Sequence, residues 1–310
     1  MNISIKRSIL ALSLLLFFFH SCKKDETSTP STTGGTVSNP ARQAALDDYN
    51  TNYLASNLSS IGWTGSVSTC TAGRCSQATA DAVIKRINYF RRMVGLNSQC
   101  KLDTSLYQQE QEAALLQSAN NALSHTPPTS WTCYTTLGDL GCSSSNLALG
   151  YNSTAAITAF LSDDGSGNEP VGHRRWILHS RKQTFSFGST SNAMALYVFR
   201  NDTNSVIPSF IAYPPSGYMP RTLVPNRWSF SIPGANFAAA TVTMTGPGGA
   251  VVPVTIISST ANGYGDNTLV WTATGINTSS DSDVSYIVTV NGVASASQTG
   301  YSYTTSVFKP

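Results

Sequence analysis

The spacing of apolar residues changes along this chain, and the change sets the fold class. Between residues 79 and 119, apolar side chains recur every three or four positions, as on one face of a helix. After about residue 222, they come in short runs separated by glycine, proline and asparagine turns. A helical period in one half and strand-like runs in the other predict an α+β protein.

The first half contains the predicted helices. The clearest spans residues 79–94, with Thr79 as its cap. A second helix begins after Asp103, a weaker one covers 154–163, and a short helix lies within 41–57. The apolar stripe of the clearest helix consists of Val83, Ile84, Ile87, Phe90 and Val94.

The second half contains the predicted strands, after one earlier candidate at 195–199. Short β runs between turn signals, at this spacing, are typical of a β-sandwich. We therefore predict an immunoglobulin-like β-sandwich over residues 222–310. Its predicted strands are 228–232, 240–244, 251–257, 268–273 and 286–290.

The N-terminus has the pattern of an export signal. A basic pair precedes the apolar run 9–19, which is too short to span a membrane. The residues before Cys22 resemble a bacterial lipobox, so we predict a signal peptide over 1–21, lipid on Cys22 and a flexible tether over 22–40. The charged stretch 23–26 resembles a tag that places lipoproteins on the outer cell face. The prediction is an exported outer-membrane lipoprotein on the cell surface, with simple secretion as the alternative.

The charge balance argues against a polyanionic partner. Removal of the signal peptide takes away Lys6 and Arg7, so 17 of the 19 basic residues remain beside 16 acidic residues. A nearly neutral chain lacks the excess of positive charge with which proteins bind nucleic acid. The predicted partners are the membrane, through lipidated Cys22, and an extracellular ligand.

Five cysteines remain after Cys22. An exported chain meets an oxidising compartment, so disulfides are expected. Cys70–Cys75 and Cys133–Cys142 are the shortest closures and would leave Cys100 unpaired, but the sequence leaves the pairing open. Their spacing is not that of a structural zinc site.

Four segments in order resemble a known family. They are Ile-Asn-Tyr-Phe-Arg at 87–91, Leu-Ser-His at 123–125, Asn-Leu-Ala-Leu-Gly at 146–150 and Gly-His-Arg-Arg-Trp-Ile-Leu at 172–178. Together they make residues of about 76–200 similar to the CAP superfamily, which includes cysteine-rich secretory proteins, venom antigens and pathogenesis-related proteins.

The resemblance implies a fold and a site. The fold is an α-β-α sandwich, and the site is a cleft lined by two histidines and two acidic residues. His125 and His173 match the histidines, and Asp163 matches one acid. The second acid should precede Asn146, where Ser145 stands instead. Because serine is a poor metal ligand and a poor general base, a mechanism that needs both carboxylates is in doubt.

Further residues near these motifs are candidates for the cleft. We expect Glu169 to substitute for the missing acid. Arg174 either holds an anionic ligand or pairs with nearby aspartates. His125 and His173, with Asp163 and a water, would satisfy the coordination of a divalent metal such as zinc, so a metal site is one possibility.

These features predict a binding protein rather than an enzyme. The predicted organisation is a CAP domain over 41–212, a linker over 213–221 and the β-sandwich over 222–310. The CAP domain would bind a lipid, glycan or protein in its two-histidine cleft. One alternative is a metal-assisted hydrolase or peptidase in which His125, His173 and Asp163 are catalytic. Another is a structural adhesin that acts through the β-sandwich.

Overall fold

A computed structural model describes residues 39–202 and 207–310 of the chain. The predicted signal peptide over 1–21, the lipid site at Cys22 and nearly all of the predicted tether over 22–40 lie outside the described residues. Within the described ranges, no helix has both the length and the apolar character needed to cross a bilayer.

A four-stranded sheet forms the centre of the first part. Its two outer strands flank an antiparallel β3–β4 pair, β1 runs parallel to β3, and β2 runs antiparallel to β4. In spatial order the strands are β1 (Lys101–Leu102), β3 (Thr184–Ser189), β4 (Ala193–Tyr197) and β2 (Ser145–Leu149).

Helices cover both faces of this sheet. Side chains alternate along β4, so Met194 and Leu196 join the core on one face and Ala195 joins the core on the other. The resulting α-β-α arrangement, together with the β-rich region that follows, confirms the predicted α+β fold class. One face packs against α2 (Gln77–Met93), α5 (Ser153–Ser162) and α6 (Gly172–Ile177), and the other against α3 (Tyr107–Asn120) and α4 (Thr136–Ser143).

The helix boundaries follow local capping groups. Ser76 caps α2, since its Oγ accepts the N–H of Thr79 at 3.2 Å, so this helix begins earlier than predicted. Asp103 caps a short 3-10 turn, Thr104–Leu106, that leads into α3. The short helix α1 (Pro40–Asp48) begins the described chain, in the region predicted to be helical.

Helix α3 lies unusually close to strand β3. A Cβ atom on Gly188 would stand 2.2 Å from the backbone nitrogen of Gln111 and from the carbonyl oxygen of Glu110. Only glycine therefore allows this approach. The contact fixes the position of Glu110, which faces the sheet.

The second part is a sandwich of two β-sheets around a common core that includes Trp228, Trp271 and Tyr286. The β-sandwich architecture is as predicted, although the C-terminal strand was not. One sheet consists of β10 (Val254–Ser258), β11 (Thr268–Ala273), β7 (Arg227–Ser231) and β5 (Ile211–Tyr213). The other consists of β6 (Gly217–Pro220), β13 (Gly300–Phe308), β12 (Val284–Asn291), β8 (Thr241–Thr245) and β9 (Val251–Val252).

The predicted linker over 213–221 is built into these sheets instead. Strand β5 pairs with β7, and β6 pairs with the C-terminal strand β13. Alternate residues of β5 serve both cores: Ile211 and Tyr213 pack into the core of the first part, and Ala212 packs into the sandwich. Residues 38–310 accordingly form one compact unit.

The disulfide joins Cys70 to Cys133, which corrects both predicted short closures. Cys75 points inward and its sulfur donates to a backbone carbonyl at the end of β3, at 3.2 Å. Cys100 and Cys142 are buried and free. The Cys70–Cys133 disulfide closes a loop with a sequence separation of 63, and in the chain-entropy model such a closure stabilises the fold by about 4 kcal/mol.

Candidate functional site

The two motif histidines share one cavity. His125, Ser145, Asn146 and His173 all line a cleft of about 290 Å³ in the first part of the molecule. The segments that carry them are far apart in the sequence and meet because β2, α4 and α6 lie side by side. Three aromatic side chains, Trp176, Phe199 and Tyr264, line the same cleft.

The ring of His173 is held by a buried carboxylate. His173 lies at the start of α6, and its Nδ1 is 2.8 Å from Oδ1 of Asp163. The Asp163 side chain is fully buried and also accepts the backbone N–H of Arg174 at 3.2 Å. Phe160 stacks on the imidazole, with ring centroids 5.2 Å apart. Asp163 therefore lies behind His173 and orients the ring, which leaves Nε2 for a ligand.

His125 is oriented by the backbone instead. Its Nδ1 is 2.7 Å from the carbonyl oxygen of Cys142 in α4, so Nδ1 carries the hydrogen and donates to that oxygen. The side chain is exposed. Nε2 of this second imidazole is likewise the nitrogen available to a ligand.

Ser145 and Asn146 connect the cleft to its supporting layers. Asn146 donates from Nδ2 to the backbone carbonyl of His173 at 3.0 Å, which ties β2 to α6. Ser145 donates from Oγ to Oε2 of Glu110, a short hydrogen bond to helix α3. Thus a carboxyl group does lie next to the position where the resemblance predicts an acid, but it comes from another element.

Glu110 is a functional candidate that the sequence analysis missed. Its side chain is fully buried, and its Oε1 accepts a hydrogen bond from Gln109 at 3.0 Å. Burial raises the pKa of Glu110 to about 8, although the hydrogen bonds from Ser145 and Gln109 act in the opposite direction. An acidic residue on the buried face of α3 was the only sequence signal for it.

Two predicted cleft residues lie elsewhere. Glu169 is exposed, and its Oε1 accepts the backbone N–H of Gly167 at 3.2 Å. Arg174 is buried behind the cleft, because its guanidinium satisfies carbonyls at the end of α5 and reaches the β-sandwich. Its acceptors are Leu161 O at 2.6 Å, Ser162 O at 2.9 Å, Arg227 O at 2.8 Å and Ser229 Oγ at 3.1 Å.

Tyr264 brings the β-sandwich into the cleft, which the sequence analysis also missed. It belongs to the loop between β10 and β11 and packs against the glycine of the Gly-His motif. A Cβ on Gly172 would lie 2.8 Å from Cδ1 of the Tyr264 ring. The guanidinium of Arg175 also lies over the Tyr264 ring, with Cζ 5.3 Å from the ring centroid.

A larger groove of about 790 Å³ runs along Tyr53, Arg86 and Thr158. Its buried cation is already saturated: the nitrogens of Arg86 donate to neutral acceptors of Tyr53, Ser56, Asn57, Thr154 and Thr158. The guanidinium therefore has a structural role there. In the smaller cleft, Nε2 of each imidazole is available to a ligand, so this cleft is the better candidate site.

The cleft does not fit a zinc ion. Zinc sites use at least three protein ligands, and among the described residues only two imidazoles face this cavity. Asp163 is engaged by His173 and Arg174, and Glu110 lies behind Ser145. Over the part of the chain that the structure describes, no three histidine, cysteine, aspartate or glutamate side chains come together as a metal site.

Comparison with known proteins supports the family resemblance. Residues 84–199 match the model of the CAP family, described as the cysteine-rich secretory protein family. No curated protein and no solved structure matched the chain. The matched segment contains His125, Ser145, Asp163 and His173 and ends before the β-sandwich. Residues 84–199 therefore form a CAP domain, which is followed in this chain by a β-rich region.

Proposed function

We propose that this protein is exported and binds an extracellular ligand in its two-histidine cleft. One observation carries the proposal: His125 and His173 line the same cavity of about 290 Å³, each with Nδ1 already engaged. Two imidazoles with a free nitrogen, beside hydroxyl and amide groups, can position a ligand by hydrogen bonds. The ligand would be a lipid, a glycan or a protein segment.

The placement of the carboxyl groups favours binding over hydrolysis. Asp163 is buried behind His173, and Glu110 is buried behind Ser145. Neither carboxyl group faces the cavity to activate a water directly. The hydroxyl of Ser145 donates to Glu110 rather than to a histidine, so it is not arranged as a nucleophile. The adhesin function of the β-sandwich remains an alternative.

A screen with matched variants tests the binding function. The mature chain is exposed to panels of lipids, oligosaccharides and peptides, and the affinity of each hit is measured for wild type, His125→Ala and His173→Ala. We expect each substitution to weaken binding at least tenfold, or about 1.4 kcal/mol. Arg181→Ala, at an exposed position, is the control and should bind normally.

Two outcomes would contradict the binding proposal. If both histidine variants bind every hit as tightly as wild type, the cleft is not the ligand site. If added zinc produces peptide turnover that both variants lose, the hydrolase alternative is correct. A chelator arm separates these outcomes, since binding through hydrogen bonds alone is unaffected by removal of metal.

We also propose that lipid on Cys22 anchors the protein to the outer membrane, at the cell surface. The support is the apolar run that precedes this cysteine, and the disulfide between Cys70 and Cys133, which suits an oxidising compartment. Cys22→Ser should move the protein from the membrane fraction to the soluble fraction and abolish incorporation of labelled fatty acid. Unchanged membrane association would show that the anchor is wrong.

A further inference from the structure

The wall of the cleft that comes from the β-sandwich is firmly held. The loop over residues 259–267 contributes Gly263 and Tyr264 to the lining. Arg175, two positions after His173, donates from Nε and Nη2 to the carbonyl of Asp266 at 3.2 and 3.0 Å. Its Nη2 also donates to the carbonyl of Ala261 at 3.0 Å. The CAP domain thus holds this loop at two points.

A second anchor fixes the end of the same loop. The carboxylate of Asp266 accepts the backbone N–H of Ser180 at 2.7 Å and lies 3.1 Å from Nδ1 of His179. Asp266 and His179 are both buried. Because these contacts are buried, they hold the loop without competition from water. Tyr264 is therefore pre-positioned beside the histidines rather than free to swing away.

The cleft offers a ligand no permanently charged side chain. Its polar groups are hydroxyls, amides and imidazoles, and the described lining residues include no lysine, arginine, aspartate or glutamate. Two charged groups behind the cleft are already engaged: Asp163 by His173, and Arg175 by the loop carbonyls. A charged ligand would lose its water here without gaining an opposite charge, which is unfavourable.

The apolar part of the lining is mainly aromatic. Trp176 and Phe199 form a pair with ring centroids 5.1 Å apart, and Tyr264 contributes a third ring. Phe199 is 53% exposed and Tyr264 is 38% exposed, so both present ring surface at the rim. Large aromatic side chains left open beside hydrogen-bonding groups suit a ligand that has an apolar face and a polar edge.

From this lining we infer that the ligand is a neutral saccharide and that Tyr264 of the β-sandwich contacts it. A sugar ring offers a face of C–H groups to an aromatic ring and a rim of hydroxyls to Ser145, Asn146 and the imidazoles. This inference rests on the proposed binding function and makes the β-sandwich part of the binding site.

The test uses the mature full-length chain and defined sugars. Neutral hexasaccharides of glucose, mannose and N-acetylglucosamine are compared with heparin and polygalacturonate by calorimetry and by tryptophan fluorescence. We expect a neutral hexasaccharide to bind and the polyanions not to bind. Tyr264→Ala should weaken that binding at least tenfold and Tyr264→Phe much less. Tyr151→Ala, at a tyrosine that is 54% exposed outside the cleft, should have no effect.

A double-mutant cycle separates a contact by Tyr264 from general damage to the fold. Gly172 has an ordinary backbone conformation, so alanine fits there except for its clash with the Tyr264 ring. Gly172→Ala should displace the ring and weaken saccharide binding several-fold in the wild-type background. In the Tyr264→Ala background the same substitution should change little, because the ring is already absent.

The outcomes distinguish this inference from the proposed function. Binding of a lipid or peptide that His173→Ala abolishes, with no neutral saccharide bound, would overturn the inference and leave the binding function intact. Saccharide binding that is indifferent to both Tyr264→Ala and Gly172→Ala would overturn the role of the β-sandwich. Preferential binding of the polyanions would overturn the inference that the ligand is neutral. Failure of every ligand class would overturn both proposals.

Discussion

The interiors of the two parts of this molecule are built from different side chains. The β-sandwich buries mainly aromatic and aliphatic residues, and Asp266 is the one charged side chain buried among its described residues. Even Asp266 turns toward the CAP domain, where it meets His179 and Ser180. The CAP domain, by contrast, buries Arg86, Arg91, Glu110, Asp163, Arg174, Arg175 and Lys182.

This difference reflects the hydrogen bonds that the buried charges of the CAP domain make. A buried charge is costly unless it is paired or hydrogen-bonded, so a domain that keeps several must hold them for a reason. Asp163 supports His173, Glu110 supports Ser145, and Arg174 and Arg175 hold the β-sandwich in place. The stability of the CAP domain should therefore depend on pH, whereas that of the sandwich core should not.

The largest expected effect is at Glu110. Its pKa is raised by burial from 4.5 to about 8, so its contribution is fully present below pH 4.5 and is lost as pH rises through 8. Wild type should lose roughly 3–5 kcal/mol more than Glu110→Gln between pH 5 and pH 9. Denaturant unfolding across this range measures the difference. If the free energies of unfolding of the two proteins change with pH in parallel, the pKa of Glu110 is not raised.

A smaller effect is expected at Arg174, which joins the two parts. Arg174→Met keeps the length of the side chain but leaves buried carbonyls without donors. We expect a loss of about 3 kcal/mol in the free energy of unfolding. The exposed Arg181→Met is the control and should change stability by less than about 0.5 kcal/mol. Equal stability of both variants would mean that the contact between the CAP domain and the β-sandwich does not depend on the Arg174 guanidinium.

The smallest expected effect, with the opposite sign, is at Lys182. Burial lowers its pKa to about 7, and within the described chain its Nζ has no hydrogen-bond partner. The amine lies over the rings of Phe185 and Tyr197. Lys182→Met should raise stability by about 1–2 kcal/mol at pH 6.

The gain from Lys182→Met should shrink as pH rises from 7 toward 10. The reason is that folded wild type loses the Lys182 proton above about pH 7 whereas the unfolded chain keeps it, so folding releases a proton and becomes more favourable as pH rises. Thermal unfolding at pH 6 and pH 10 provides the comparison. A destabilised variant at both values would show that the buried amine is needed for packing or for function.

Much of the fold could be predicted from the sequence because it depends on local periodicity. The stripe along α2 and the alternation in β12 each record one buried face. The histidines of the cleft could also be predicted, because each lies in a short motif. The short helices α4 and α6 carry too few apolar positions to give a period, so they were missed.

The rest depended on contacts that no local pattern encodes. Glu110 reaches Ser145 only because a glycine lets α3 lie against β3. Tyr264 reaches the cleft only because Arg175 and His179 hold its loop. Arg174 was expected either to hold an anionic ligand or to pair with nearby aspartates, but its guanidinium is occupied by the carbonyls at the end of α5. In each case tertiary packing decides which of several chemically suitable residues faces the cavity.

The shared strand β5 limits how this protein can be divided. Ile211, Tyr213, Met219 and Leu223 belong to the core of the CAP domain, although all four follow residue 199, where the family match ends. A fragment cut at that boundary would expose apolar surface that they normally cover, and we expect it to aggregate. A fragment that folds must therefore be longer than the segment that matches the family. The same limit applies to a piece exchanged by recombination or displayed on another carrier.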